Sequence, residues 1–253
     1  MLGLADSDAV ALAATADECR ARGADVLAAA LDVADDAAVC GFAAALTDFA
    51  GQPSCVFTLA GMLYSGTVAD TPSEDFARVI ETNLLGVVHV VRAFLPHVLA
   101  SGCGHFVTVS SAFGLVTAPG SSAYSASKAA VMRLSEALRM EMRNEPVTVT
   151  CVAPGGVRTA IAERAGVAPG VDHSAFAAAF SDRIARTSAE RAAARILRGV
   201  ERGRRTVYIG WDARLAALLT KLGPAVTERI LGRVPVHQTD ETAGQIEGQV
   251  TTY

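Results

Sequence analysis

The chain has 253 residues, a mean hydropathy of +0.33 and 19% charged side chains, enough apolar material for one substantial α/β core. A net charge of −4 and a pI near 5.7 argue against a nucleic-acid binder, and five scattered cysteines with no C-x-x-C or nearby His cluster argue against a disulfide framework or a zinc site. No apolar run reaches the roughly eighteen residues of a spanning helix, and the first residues lack a basic segment followed by an apolar one, so the expectation is a cytoplasmic protein with no membrane span.

Strand-like and helix-like segments alternate. Residues 2–5 (LGLA) form a short apolar strand, followed by a helical stretch closed at Gly23. Residues 25–33 (DVLAAALDV) read as a strand and the next stretch as a helix ending at Gly51. SCVFTLAG, 54–61, is a buried strand. A long helical stretch then opens with Thr71 as N-cap, Pro72 at the first helical position and Glu74 closing a capping box. HFVTVSS at 105–111 is a strand, the segment from Ser121 to about Arg143 is a helix, and VTVTCVAP (147–154) and TVYIG (206–210) are the last strands. Strands separated by helices of this length imply right-handed crossovers and a doubly wound parallel sheet in an αβα sandwich. The core domain is expected over 1–235, with a mobile tail over 236–253.

The chain contains only two lysines, and one of them, Lys128, follows Tyr124 by one helical turn. At 100° per residue Tyr124, Lys128, Val131, Ser135 and Leu138 share one sector, which Val131 and Leu138 mark as the buried one. An ammonium there is costly unless it is paired or hydrogen-bonded. A fixed cation also favours phenolate, which gives the tyrosine a use as a proton donor or acceptor. A core tyrosine beside a snorkelling lysine produces the same spacing. Ser111 ends a strand where parallel sheets place their ligands, although a turn cap accounts for it equally. Asn83 sits on an apolar helix stripe and needs partners, which backbone groups could supply. APGGVRTA, 153–160, ends a strand in a turn that lets backbone approach a ligand closely.

The spaced set TVSS…YSASK, ETNLLG and APGGVRT resembles the short-chain dehydrogenase/reductase family in its common form, over roughly residues 1 to 210. The resemblance implies a Rossmann-like fold and an NAD- or NADP-dependent oxidoreductase acting on an alcohol or ketone. It assigns Tyr124 as general acid/base and Lys128 as the cation that lowers its pKa and holds the nicotinamide ribose. Ser111 would orient the substrate carbonyl, and Asn83 would hold a water of the proton relay. Cofactor contacts are implied at Asp6, Asp32, Val33, Ala60 and Gly61, and along the turn at Pro154, Gly155, Val157 and Thr159. Asp6 favours NAD, with NADP possible, and relatives form homodimers or homotetramers.

Two departures accompany the resemblance. The family's Asn-Asn-Ala-Gly reads Thr58-Leu59-Ala60-Gly61 here. The glycine-rich turn that cradles the pyrophosphate is absent, as if a first βα unit of about thirty residues were missing. The expectation is therefore a truncated sheet, better explained by a misplaced start, with the lost strand falling between 2–5 and 54–59. A catalytically silent relative serving as a dimerisation or regulatory partner is the alternative. The segment after Thr159 would form a lid over an apolar pocket. The amphipathic helix after Trp211 is expected at a subunit interface rather than at a membrane surface, because one apolar face is the norm for any docked helix.

Overall fold

A computed structural model of the chain describes residues 1–233, and the tail expected over 236–253 lies outside the described residues. Strands β1 (Leu2–Asp6) and β2 (Val26–Ala30) pair with each other. Strands β3 (Cys55–Thr58), β5 (Gly104–Val109), β6 (Val147–Pro154) and β8 (Thr206–Ile209) form a second sheet in the order β3-β5-β6-β8. Two-residue strands β4 (Tyr64–Ser65) and β7 (Gly166–Val167) pair apart from both. Every pairing is parallel, as the alternating pattern predicts.

The helices are α1 (Ala9–Ala21), α2 (Asp36–Ala50), α3 (Ser73–Ile80), α4 (Gly86–Ala100), α5 (Ser122–Glu141), α6 (His173–Arg183), α7 (Ala189–Glu201), α8 (Trp211–Leu219) and α9 (Pro224–Leu231). Period-two alternation splits the core between the faces of the larger sheet. Phe106, Val147 and Val149 meet Leu46 of α2, Phe94 and Val98 of α4, and Val131 and Leu138 of α5. Val107, Val152 and Val207 point the other way, onto Ala192 and Ile196 of α7. Burying a side chain such as Phe106 contributes about 2–3 kcal/mol, and its removal to alanine costs about 3–5 kcal/mol.

Three details differ from the sequence reading. Thr71 does not cap α3. Its hydroxyl donates to the Thr67 carbonyl at 2.6 Å, and Pro72, extended at ψ 141°, takes the cap position without a side-chain bond. The segment Ser73–Ala100 is one continuous helix, long and apolar enough by length and composition to cross a membrane. It becomes continuous because a π-helical turn, Glu81–Leu85, joins α3 to α4, and it packs on α2, α5 and the sheet with Val79, Val87, Val91 and Phe94 buried. Strands predicted at 25–33, 54–61 and 105–111 stop earlier, and their last residues form the turns of the site.

The sheet is interrupted where the missing strand was expected. Among the described residues β1 pairs only with β2, and β3 only with β5. All of β1 except Leu4 is exposed. The β1–β2 unit is fixed through side chains instead. Leu46 of α2 rests where a side chain on Gly3 would lie, Val33 packs against Gly86, and the His89 imidazole bonds the Val33 carbonyl at 2.9 Å. Hydrogen–deuterium exchange checks this division. Amides of Phe106–Thr108 and Val149–Val152 should exchange slowest, and those of Gly3–Asp6 at least about a hundredfold faster.

Candidate active site

Helix α5 is set on strand β5 by buried polar contacts. Ser110 donates to the Lys128 carbonyl at 2.6 Å, and the Ser135 and Thr108 hydroxyls bond at 2.6 Å. Gly114 lies so close to the Lys128 carbonyl that a side chain there would overlap it. The start of the helix is fixed by Ser121, which bonds Ala118 within the Ala118–Ser121 turn, and by Gly120, whose carbonyl accepts from the Gly66 amide at 2.9 Å. Gly120 holds a φ of +79°, a conformation that favours glycine.

That docking brings Tyr124 and Lys128 to the end of β5. Both are buried, and the ammonium lies 5.8 Å from the phenol ring centroid. It donates to the Val109 carbonyl at 3.1 Å. Ser111 follows the same strand end. Its hydroxyl accepts from the Phe113 amide at 3.1 Å, so the turn-cap reading holds, and it is also a hydrogen-bonding neighbour of the Tyr124 phenol. Phe113 stands edge-on to the Tyr124 ring, with centroids 6.2 Å apart.

The titration of the pair differs from expectation. Burial raises the Tyr124 phenol above its ordinary value, and the Ser111 hydroxyl only partly opposes this. Burial also lowers Lys128 to about 8. Desolvation therefore sets the direction of both shifts. At neutral pH the phenol keeps its proton and the lysine keeps its charge.

Asn83 is fully buried in the π-helical turn, a distortion that often marks functional positions. Its Oδ1 accepts from the Met62 amide at 2.8 Å, and its Nδ2 donates to the Met62 carbonyl at 2.9 Å and to Ser127 Oγ at 3.0 Å. The amide thus fixes the chain just after Gly61. A side chain on Gly61 would come within 3.1 Å of Lys128 Nζ and 3.2 Å of Asn83 Oδ1. Ser127, which donates to the Tyr124 carbonyl at 2.7 Å, and Asp212 were missed in the sequence. The Asp212 carboxylate accepts from the Gly156 amide at 2.7 Å and abuts Gly155 and Gly210, so it shapes the glycine turn after β6. Its position three residues past the end of β8 was the available signal.

The remaining candidates divide. Ala60 and Gly61 are exposed just past the end of β3, and Pro154 is the last residue of β6, with Gly155 following it. Val157 instead packs beside Val107 and Val152 and bridges Thr187, while Thr159 is exposed. Asp6 and Asp32 lie at the ends of β1 and β2, and each accepts a local amide, from Asp8 and Ala34 at 2.9 Å. Val33 contacts Gly86 of α4.

A family model for short chain dehydrogenase matches residues 2–168. The chain belongs to the short-chain dehydrogenase family. It is 43% identical over 232 residues to the SadH protein of Mycobacterium tuberculosis, covering 91% of this chain and 84% of that one. A short-chain dehydrogenase/reductase of Burkholderia phymatum, solved in complex with NAD, superposes with a TM-score of 0.79 at 30% identity, covering 87% of this chain and 82% of that one. An alcohol dehydrogenase of the archaeon Thermococcus sibiricus, complexed with 5-hydroxy-NADP, gives a TM-score of 0.61 at 25% identity, covering 70% and 77%.

The residues of this short-chain dehydrogenase suit one end of a dinucleotide better than the other. A nicotinamide riboside suits the space that Gly61 leaves beside Lys128, Tyr124 and Asn83. The diphosphate has no glycine cradle among the described residues. The helix that follows β1 carries Asp8 as its N-cap, accepting from the Val10 and Ala11 amides and pairing with Arg164 at 2.6 Å, so an anion there meets a carboxylate. Thr58, in place of the family's asparagine, has a buried hydroxyl with no partner among the described residues.

The lysine's depressed pKa fixes a stability prediction. The unfolded chain holds the Lys128 proton up to about pH 10.5 and the folded chain only to about 8, so the unfolded state binds more protons between them and wild-type stability rises through that window. Lys128→Met should therefore be more stable than wild type at pH 7, by about 1–3 kcal/mol. The gain should shrink as pH rises from about 8 toward 10.5, as read by urea unfolding at several pH values.

Proposed function

We propose that this protein is a nicotinamide-dependent oxidoreductase that interconverts a secondary alcohol and a ketone, with Tyr124 as general acid/base. The convergence of Ser111, Tyr124 and Lys128 beside the open backbone of Gly61 carries the reading. Bound nicotinamide would supply or accept the hydride. Ser111 and Tyr124 would hold the substrate oxygen between two hydroxyls, and Tyr124 would give that oxygen its proton as a ketone is reduced. The protonated phenol and charged Lys128 at neutral pH suit that direction. Asn83, by fixing Met62, would keep Gly61 open to the cofactor. NAD is the favoured cofactor because Asp6 ends β1 with an exposed carboxylate, which would repel a 2′-phosphate.

The substrate is inferred to be apolar. Leu63, Phe113, Ile161, Phe176 and Phe180 cluster with Tyr124, the last three contributed by the segment expected to form the lid. A charged substrate would find no partner in that cluster.

The interrupted sheet and the Asp8-capped helix favour the second reading, a catalytically silent partner. A fluorescence titration with NADH and NADPH separates the two, because the enzyme binds NADH saturably and more tightly, and the silent form binds neither. For the enzyme, Tyr124→Phe should lower ketone reduction by about 10²- to 10⁴-fold with no loss of thermal stability. The pH profile of kcat/KM gives an independent check. Reduction should hold up to about pH 8 and fall above it, as Lys128 loses its proton.

A further inference from the structure

The net charge of −4 conceals a segregated basic region. Residues 186–233 carry eleven of the chain's 22 Lys and Arg but only four of its 26 Asp and Glu, so the rest of the chain is strongly acidic. The structure gathers much of this charge around α7, β8 and α8. A cleft of about 290 Å³ is lined by Arg195, Arg198, Arg202, Arg204 and Arg214. A second cleft, of about 610 Å³, shares three of these and adds Arg186, Arg191 and Trp211. Among the described residues none of these arginines forms an ion pair.

An apolar stripe borders the arginines. On α8, Trp211, Leu215 and Leu218 recur at helical spacing and are exposed, Trp211 by 61% and Leu218 by 55%, while Ala213 and Ala216 face the protein. Leu222 extends the spacing, and Val226 and Ile230 on α9 are exposed one turn apart.

We propose that α8 and α9, with the arginine-lined clefts beside them, dock the protein on an anionic lipid surface. The apolar side chains would enter the interfacial layer, Trp211 would sit at headgroup depth, and the arginines would meet lipid phosphates. A second copy of this chain fits poorly, because a two-fold contact through this face sets arginine against arginine. Apolar insertion and cationic attraction together give the two signals that stable peripheral attachment needs.

Co-sedimentation of the full chain with vesicles tests the proposal. The protein should pellet with phosphatidylcholine vesicles containing about a third phosphatidylglycerol, and far less with phosphatidylcholine alone, and high salt should release it. The double substitution Arg195→Gln, Arg198→Gln should weaken partitioning about thirtyfold, at about fivefold per charge. Leu215→Ser with Leu218→Ser should weaken it about tenfold with the charge intact. Arg198, Leu215 and Leu218 are exposed and Arg195 is half-buried, so circular dichroism should show unchanged folding. Equal partitioning to neutral and anionic vesicles, or none to either, overturns the proposal. So does a leucine variant that lowers the sedimentation mass without changing vesicle binding, which would assign the face to a contact between copies. None of these readouts depends on cofactor binding or turnover.

Discussion

Lys128 is 4% exposed, and its ammonium donates to one carbonyl, that of Val109, at 3.1 Å. A cation in that position constrains everything around it. It reaches the Val109 carbonyl only if α5 stays seated on β5, and the seating depends on Ser110, Thr108, Ser135 and the absence of a side chain at Gly114. The same seating turns Tyr124 toward Ser111 and the lid phenylalanines. Stability and chemistry are thus coupled at one residue, and in opposite directions. The buried charge costs folding energy, and the reactive geometry needs the charge.

That coupling is insulated from the interruption in the sheet. β3, β5, β6 and β8 hydrogen-bond continuously, and every residue that reaches Tyr124 rises from their ends or from α5, the Asn83 turn and the lid. The β1–β2 unit joins this body through α2 and α4, by Leu46 over Gly3 and by Val33 against Gly86. Side-chain packing of this kind holds a position but does not satisfy the unpaired edges of β1 and β3. The Tyr124 end of the site consequently rests on the continuous sheet. The diphosphate end depends on backbone that the described residues do not provide.

Much of this was legible in the sequence, for reasons specific to each element. The strands β3, β5 and β6 are near-continuous apolar runs because helices cover both faces, and α5 announces itself by a buried stripe that contains a lysine. The Tyr124–Lys128 pairing follows from helical spacing alone. The π-helical turn at Asn83 left no trace, since nothing in Glu81–Leu85 distinguishes an added residue in a turn from an ordinary helix. The same turn lets Ser73–Ala100 run unbroken as the long helix expected there, but that it is long and apolar enough by composition to cross a membrane was not foreseen, because no uninterrupted apolar run marks it. Thr71 misled because its hydroxyl donates to the Thr67 carbonyl instead of accepting from the α3 amides. The β4–β7 pair is two residues long and has no period to read. The net charge of −4 is a whole-chain sum and hides that the charges separate along the chain.

The direction in which Tyr124 titrates also could not come from spacing. A cation one turn away lowers a phenol's pKa, and burial raises it. Which effect wins depends on how much water each group loses. Here the two groups share one dry site. Each is pushed toward its neutral form, the phenol upward and the lysine down to about 8. Above about pH 8, and below the raised range of the phenol, the lysine has lost its charge and the tyrosine still holds its proton. Below about pH 8 lies the pairing that proton donation requires, a neutral phenol beside a charged ammonium, and it spans neutral pH. Proton donation thus needs no further adjustment of the site, whereas proton abstraction from an alcohol needs a phenolate that this degree of burial opposes.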